Sequence, residues 1–378
     1  RFTGLEYGYY LVCVGSVNSI QASLLTVDAT HNAVALKSEA PDITKTADKD
    51  AETVHVGQTV TYTIKGTVPD MTGYDNYVYK IHDTLTDGLD FVTNDNGTKV
   101  KVSVKINGTE VADVTTADFV GSDGNVSDTA TRTMLLDLSQ KVQAATAGQK
   151  IEVTYQATVN KDAVVETKNS ASLEYSNNPG DEKTGTTKPH EVVTPTYPLD
   201  VKKTDTHSTV LADAHFTLYG ANEDGTIDKT NVIKVTKDTD ANGKYTYAED
   251  QNATDAITDV ITVGSGIDEK DYNLHINGLK AGVYYLEETQ APDGYNKLAA
   301  PVKVTIKKTG DTDYTVSTPN KQGVDTEEED KIIDIENSTG SLLPSTGGRG
   351  AIAFGIVAAI LVFGVVVSFM RDKRKANL

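Results

Sequence analysis

Apolar and polar side chains alternate along most of this chain. Between residues 53 and 66 the apolar positions are Val54 and Val56, then Val60, Tyr62 and Ile64. Residues two apart on a strand share a face, so this period predicts strands with one buried side. Similar runs fall at 77–82, 99–106, 133–138, 151–159 and 170–175. Asp87-Gly88, Asn96-Gly97, Asn107-Gly108 and Asp123-Gly124 supply turns between them. Many short strands at this spacing predict an antiparallel sandwich. A second series occupies 199–203, 215–219, 232–236, 272–276, 282–288, 302–306, 314–317 and 332–336. Residues 250–267 break its rhythm and are expected to hold a short helix or an inserted loop. The Asn, Pro, Gly and Thr-rich stretch from Asn177 to Pro198 reads as a closing turn and an interdomain linker. Residues 1–40 are too few for their own core. A strand near 2–12 and another at 32–37 make them the expected C-terminal remnant of an earlier domain, with the next domain beginning after Pro41. The chain starts at Arg1, without Met, and is expected to lack an N-terminal portion carrying the export signal.

The same alternation places polar residues inside. Leu199 and Val201 share a face with Lys203, Tyr284 and Leu286 with Glu288, and Ile333 and Ile335 with Asn337. An unpaired lysine or carboxylate is costly to bury, and such groups neutralise instead. A neutral amine is a nucleophile, a protonated carboxyl is a hydrogen-bond donor, and a carboxamide can be attacked with loss of ammonia. Together and dry, these three can form a Lys–Asn amide by general acid catalysis. Lys202, one residue earlier, is expected to face solvent. Asn320 is an alternative acceptor. In the first sandwich Ile43 shares a face with Lys45, Tyr79 and Ile81 with Asp83, and Ala171 and Leu173 with Asn169. An ordinary ion pair and a capping asparagine would give that pattern as well.

The segment Val283 to Tyr295, centred on Leu286-Glu287-Glu288-Thr289, resembles the E-box of Cna-B-type pilin and adhesin domains. That resemblance implies Glu288 as the catalytic acid, Lys203 (before Thr204-Asp205) as the reactive lysine and Asn337 as the acceptor. Residues 56–63 followed by Tyr79 to Leu85 resemble the isopeptide-forming D2 domain of fimbrial subunits, in which an aspartate replaces the glutamate. Carried over by position, this implies Lys45 as nucleophile, Asp83 as acid and Asn169 as acceptor. A Lys203–Asn337 link would close nearly the whole domain and contribute about 4–5 kcal/mol on the chain-entropy argument used for disulfides.

Near the C-terminus an uncharged apolar run occupies 350–370, about twenty residues, long enough for one helix to cross a bilayer. Arg371, Lys373, Arg374 and Lys375 follow in a short tail (371–378), and basic residues stay on the cytoplasmic side. The bulk of the protein is therefore expected outside the cell. The stretch 339–349 just before the helix contains Leu343-Pro344-Ser345-Thr346-Gly347, which resembles the sorting signal of Gram-positive surface proteins. The resemblance implies that a sortase cleaves after Thr346 and transfers its acyl group to an amine, on a peptidoglycan precursor or on another pilin.

Composition narrows the functional class. A formal net charge of -19 argues against nucleic acid as a partner. One cysteine, Cys13, excludes an internal disulfide framework and sits in an apolar run, as a buried inert thiol would. The seven histidines are scattered. His82 and Asp83 adjoin on a strand and so face opposite sides, while His190 is placed in the linker. The acidic run Glu327 to Asp330 reads as a solvated loop, with calcium binding the minority reading. There is no glycine-rich phosphate loop, Gly-x-Ser-x-Gly elbow or paired metal-binding histidine motif, so neither enzyme activity nor a cofactor or metal is expected.

The expected architecture is all-β: tandem Ig-like (Cna-type) β-sandwiches at 41–195 and 196–338, followed by one C-terminal transmembrane helix. The expected role is a structural or adhesive fimbrial subunit on a Gram-positive cell wall. Sortase, other pilin subunits and possible host-surface receptors are the expected partners, with membrane contact through the helix before processing. A monomeric wall-anchored adhesin using the same domains as a stalk is the alternative. The two differ in an acceptor lysine for the next subunit, for which Lys37, at the junction before Pro41, is the candidate.

Overall fold

The computed structural model describes residues 5–16, 19–27, 40–127, 129–179, 182–239, 241–320 and 322–340. Lys37, the sorting motif, the apolar run 350–370 and the basic tail lie outside them. Among the described residues no helix is long and apolar enough to cross a membrane. The backbone of the N-terminal segment forms a hairpin, Gly8–Ser16 paired with Ser19–Val27. The second of these strands lies between the two expected from the sequence.

Two sandwiches follow, each around its own core. In the first, one layer contains Thr44–Ala47, Thr59–Thr67 and Lys150–Val159. The other contains Thr116–Phe119, Thr133–Asp137, Tyr79–Leu85 and Lys168–Ser176. Strand Lys99–Ile106 belongs to both layers, pairing through Lys99 to Lys101 with one and through Val102 to Ile106 with the other. Every pairing among the described residues of this domain is antiparallel. The stretch expected to be linker instead supplies edge strands Thr184–Thr186 and His190–Val193, both on Lys168–Ser176. His190 is thus a strand residue that meets Asp42 at 3.0 Å.

In the second sandwich one layer runs Val235–Lys237, Lys244–Tyr247, Leu274–Leu279, Tyr197–Asp205, Ile332–Asn337. The facing layer is built from Ile227–Ile233, His215–Ala221, Gly282–Gln290, Val302–Lys308, Tyr314–Pro319 and Asp325–Glu327. This domain departs from an all-antiparallel plan. Its first and last strands pair in parallel, with Lys203 opposite Ile335 and Asp205 opposite Asn337. Lys244–Tyr247 also pairs in parallel with Leu274–Leu279. Residues 250–267 form turns with one two-residue strand, Val260–Ile261, and no helix.

The alternation at 53–56 has a different origin from that at 60–64. The strand begins at Thr59, after a turn in which Gly57 has φ +84°. Val54 and Val56 are buried at the joint between the domains. Their N–H groups donate to Pro195 O and Gly278 O, each at 3.0 Å. His55 stacks on Tyr247 with ring centroids 4.5 Å apart. Asn277 Nδ2 donates back to Ala163 O at 3.2 Å. A side chain at Gly57 would need an unfavourable φ and would place its Cβ 2.3 Å from Glu249 O. Gly57→Ala should therefore destabilise the protein by about 2 kcal/mol or more, read as a lower Tm in scanning calorimetry. An unchanged Tm would show that the joint yields freely.

Candidate functional site

The parallel pairing of first and last strands builds the site in the second domain. Along Tyr197–Asp205 the inward positions are Tyr197, Leu199, Val201 and Lys203, all fully buried. Asn337 lies two residues beyond the register partner of Lys203, on the same face. The lysine therefore reaches diagonally to the asparagine of its neighbour, and its Nζ donates to Asn337 Oδ1 and, at 3.4 Å, to Ile335 O. Glu288 comes from the facing layer, with its Oε1 3.9 Å from Lys203 Nζ, and both side chains are shut off from solvent.

The amide of Asn337 is held from two sides. Its Nδ2 donates to Glu288 Oε1 and to Asn296 O, both at 2.9 Å. Glu288 Oε2 accepts the Leu298 N–H at 2.7 Å. The loop after the glutamate strand thus covers the cluster; Tyr295 OH reaches Asp205 Oδ2 at 3.3 Å, and Asn296 N–H donates to Ser338 O at 2.8 Å. Alternation alone does not reveal Asn296 or Leu298, because they act through backbone atoms. Burial lowers the Lys203 amine from 10.5 to about 8, against the opposing pull of Glu288 and Glu336. The neutral form is then far more populated at pH 7 than in a solvated lysine. A nucleophilic nitrogen, a carboxamide and a carboxyl against the nitrogen that would leave are in contact.

The first domain assembles its cluster differently. Lys45 comes from the edge of one layer, whereas Asp83 and Asn169 come from adjacent strands of the other, where Asp83 faces Ala171 and Asn169 faces Leu85. All three are buried. Lys45 Nζ hydrogen-bonds to Asp83 Oδ2 and to the hydroxyl of Tyr155. Tyr155 OH donates to Asp83 Oδ2 at 2.5 Å and accepts from Asn169 Nδ2 at 2.9 Å. The lysine meets its asparagine through the phenol. Tyr155 was not singled out from sequence. It lies on the inward face of Lys150–Val159 with Ile151, Val153 and Ala157, and its phenol, buried by that alternation, required a polar partner.

Burial lowers the Lys45 amine despite Asp83 beside it, and raises the Asp83 carboxyl despite Lys45 and the hydrogen bonds of Tyr155 and Asn169. Both shifts favour the neutral forms. Asp83 Oδ1 and Asn169 Oδ1 have no hydrogen-bond partner. A proton on Asp83 would make its Oδ1 a donor, where neither oxygen now has one.

Other candidates lie apart from these clusters. Lys202 faces outward and pairs with Asp271. Asn320 is exposed, and its Oδ1 caps its own turn through the N–H groups of Gln322 and Val324. His82 pairs with Glu174 at 2.9 Å on the outer face, away from Asp83. Among the described residues no group of three or more His, Cys, Asp or Glu is arranged to hold a metal.

Residues 56–179 match the family model of the Gram-positive pilin backbone subunit 2, Cna-B-like domain. Residues 198–322 match a prealbumin-like fold domain. A curated fimbrial subunit type 1 from Actinomyces viscosus is 32% identical over 128 residues, an alignment covering 30% of this chain and 21% of that protein. The chain thus spans about a fifth of its curated relative. Among solved structures, the major pilin SpaD of Corynebacterium diphtheriae has a TM-score of 0.50 at 20% identity, covering 89% of this chain and 80% of that one. The major pilin SpaA of the same organism has a TM-score of 0.50 at 16% identity, covering 89% and 82%. These two likenesses are of fold. The first of the two tandem domains thus matches a structural domain of Gram-positive pilin backbones, not an enzyme family, and the second a prealbumin-like fold domain.

The depressed Lys203 value has a measurable consequence. In Asn337→Ala the amine stays free, and between about pH 8 and 10.5 the unfolded chain binds more protons at this lysine than the folded one. Stability should rise with pH across that window and be lower below it. The double variant Lys203→Met, Asn337→Ala should lose this dependence. Identical pH profiles from urea melts of the two variants would contradict the assignment.

Proposed function

We propose that this protein is a subunit of a sortase-assembled fimbria on a Gram-positive cell surface, strengthened by Lys45–Asn169 and Lys203–Asn337 amides that form without an enzyme. The supporting observation is the paired burial of lysine, carboxyl and asparagine in both domains. In each reaction the neutral lysine nitrogen attacks the asparagine Cγ. A new C–N bond forms, the bond to Nδ2 breaks, and the nitrogen leaves with the lysine's proton as ammonia. Glu288 and Asp83 are the acids of the two clusters, and each serves once and in cis. The product is neutral, so the buried lysine's desolvation cost disappears. In the second domain the link ties the first strand to the last, and tension along the chain passes through it rather than through the sandwich.

Sortase, other pilin subunits and a peptidoglycan precursor are the proposed partners. Thr346, within Leu343 to Gly347, is the proposed acyl donor after membrane retention by 350–370, and Lys37 the proposed acceptor for a second subunit. Intact-mass measurement tests the cross-links. The wild-type chain should be lighter than its calculated mass by two ammonia molecules, Glu288→Ala by one, and the doubly substituted Lys45→Ala, Lys203→Ala by none. A wild type at full calculated mass would refute the cross-links. Assembly is read from wall extracts. Wild type should give a ladder of high-mass species, Lys37→Arg a single wall-linked band, and Thr346→Ala neither. A ladder undiminished in Lys37→Arg would reject that lysine, and a single band from wild type would mean a monomeric adhesin.

A further inference from the structure

We propose that the Tyr155 hydroxyl is a catalytic proton relay for the first-domain cross-link, carrying the proton from the attacking Lys45 nitrogen to the departing Asn169 nitrogen. The inference rests on the reading of Lys45 and Asn169 as a reacting pair. It explains why the two domains hold the same three functional groups in different arrangements.

In the second domain the carboxyl touches the nitrogen that would leave, since Asn337 Nδ2 donates directly to Glu288 Oε1 at 2.9 Å. In the first domain that position belongs to the phenol, with Asn169 Nδ2 on Tyr155 OH at 2.9 Å. The same oxygen contacts Lys45 Nζ and donates to Asp83 Oδ2 at 2.5 Å. Tyr155 is thus hydrogen-bonded to nucleophile, acid and leaving group together. Its ring is fixed among Tyr62, at a centroid distance of 5.7 Å, and Phe91, at 5.9 Å, so the hydroxyl has little freedom to leave the cluster. Burial also holds the phenol's own ionisation well above its usual range, so it serves as a neutral conduit that gives one proton as it takes another.

The step balances within the cluster. Lys45 Nζ bonds to Asn169 Cγ and gives up a proton to the Tyr155 oxygen. Tyr155 passes its own proton to Asn169 Nδ2, the Cγ–Nδ2 bond breaks, and ammonia leaves. Asp83, protonated at Oδ1, donates to Asn169 Oδ1 as charge builds there and recovers its proton when the carbonyl re-forms. Its unpartnered Oδ1 and that of Asn169 are the two oxygens this requires.

The test follows cell-free synthesis of the full chain, sampling the Lys45–Asn169 and Lys203–Asn337 cross-linked peptides over time by mass spectrometry. In Tyr155→Phe the Lys45–Asn169 link should form about 100-fold more slowly or worse, as for loss of a general acid–base group. The Lys203–Asn337 link in the same molecules should keep its wild-type rate. An unslowed first-domain link would overturn the relay. Failure of the wild type itself to form that link would overturn the cross-link and the relay with it. Replacing Tyr155 by 3,5-difluorotyrosine keeps the shape and makes the hydroxyl more acidic. The pH profile of the first link should then move to lower pH while that of the second stays. A purely structural tyrosine would move neither, so an unmoved first profile also overturns the proposal.

Discussion

A lysine amine held away from water, with no carboxylate in full ion-pair contact, is the constraint around which the second domain is arranged. Lys203 is fully buried and its nearest carboxyl oxygen is 3.9 Å away. Charged, it would carry a large desolvation penalty that Glu288 and Glu336 do not offset. Its pKa falls, and the group that results is the one that can attack an amide. The cost of placing lysine in a core and its reactivity there have the same physical origin. The arrangement around it follows: a parallel first and last strand, an acid from the opposite layer, and a loop whose backbone atoms hold the amide and close the site.

The first domain meets the same constraint with a different solution. Its lysine and acid are in direct contact, and the hydroxyl of a tyrosine is hydrogen-bonded to the lysine, the acid and the asparagine. The two reacting residues come from different layers, so a bond there would join the sandwich through its core, whereas a bond in the second domain would join neighbouring strands of one layer. These two geometries resist different separations, one of layers and one of strands. The joint at Val54 to Gly57 ties the domains by the Val56 N–H bond to Gly278 O, and Asn277 ties them again through Ala163 O, so that load can pass between them.

Much of this was legible in the sequence because strands have a period of two. Lys203, Glu288 and Asn337 fall on inward faces by counting, as do Lys45, Asp83 and Asn169, and the structure places all six in the cores. What escaped was whatever the period does not encode. Alternation is blind to strand direction, so the parallel pairing of Tyr197–Asp205 with Ile332–Asn337 was not foreseen. It also cannot separate a strand from an extended segment at a joint, which is why Val54 and Val56 were merged with the strand that begins at Thr59. Short edge strands at Thr184–Thr186 and His190–Val193 have too few apolar positions to stand out from a linker. Tyr155 does not stand out either, because a tyrosine in an apolar alternation looks like packing until its hydroxyl needs a partner.

The central claim is that burial converts these lysines into nucleophiles that bond to their asparagines. The direct measurement is protease digestion of the wild-type chain followed by sequencing of branched peptides. The account predicts one branched species joining Lys45 to Asn169 and another joining Lys203 to Asn337, each short of one ammonia. Linear peptides carrying unmodified Lys203 and Asn337 from the folded protein would contradict it.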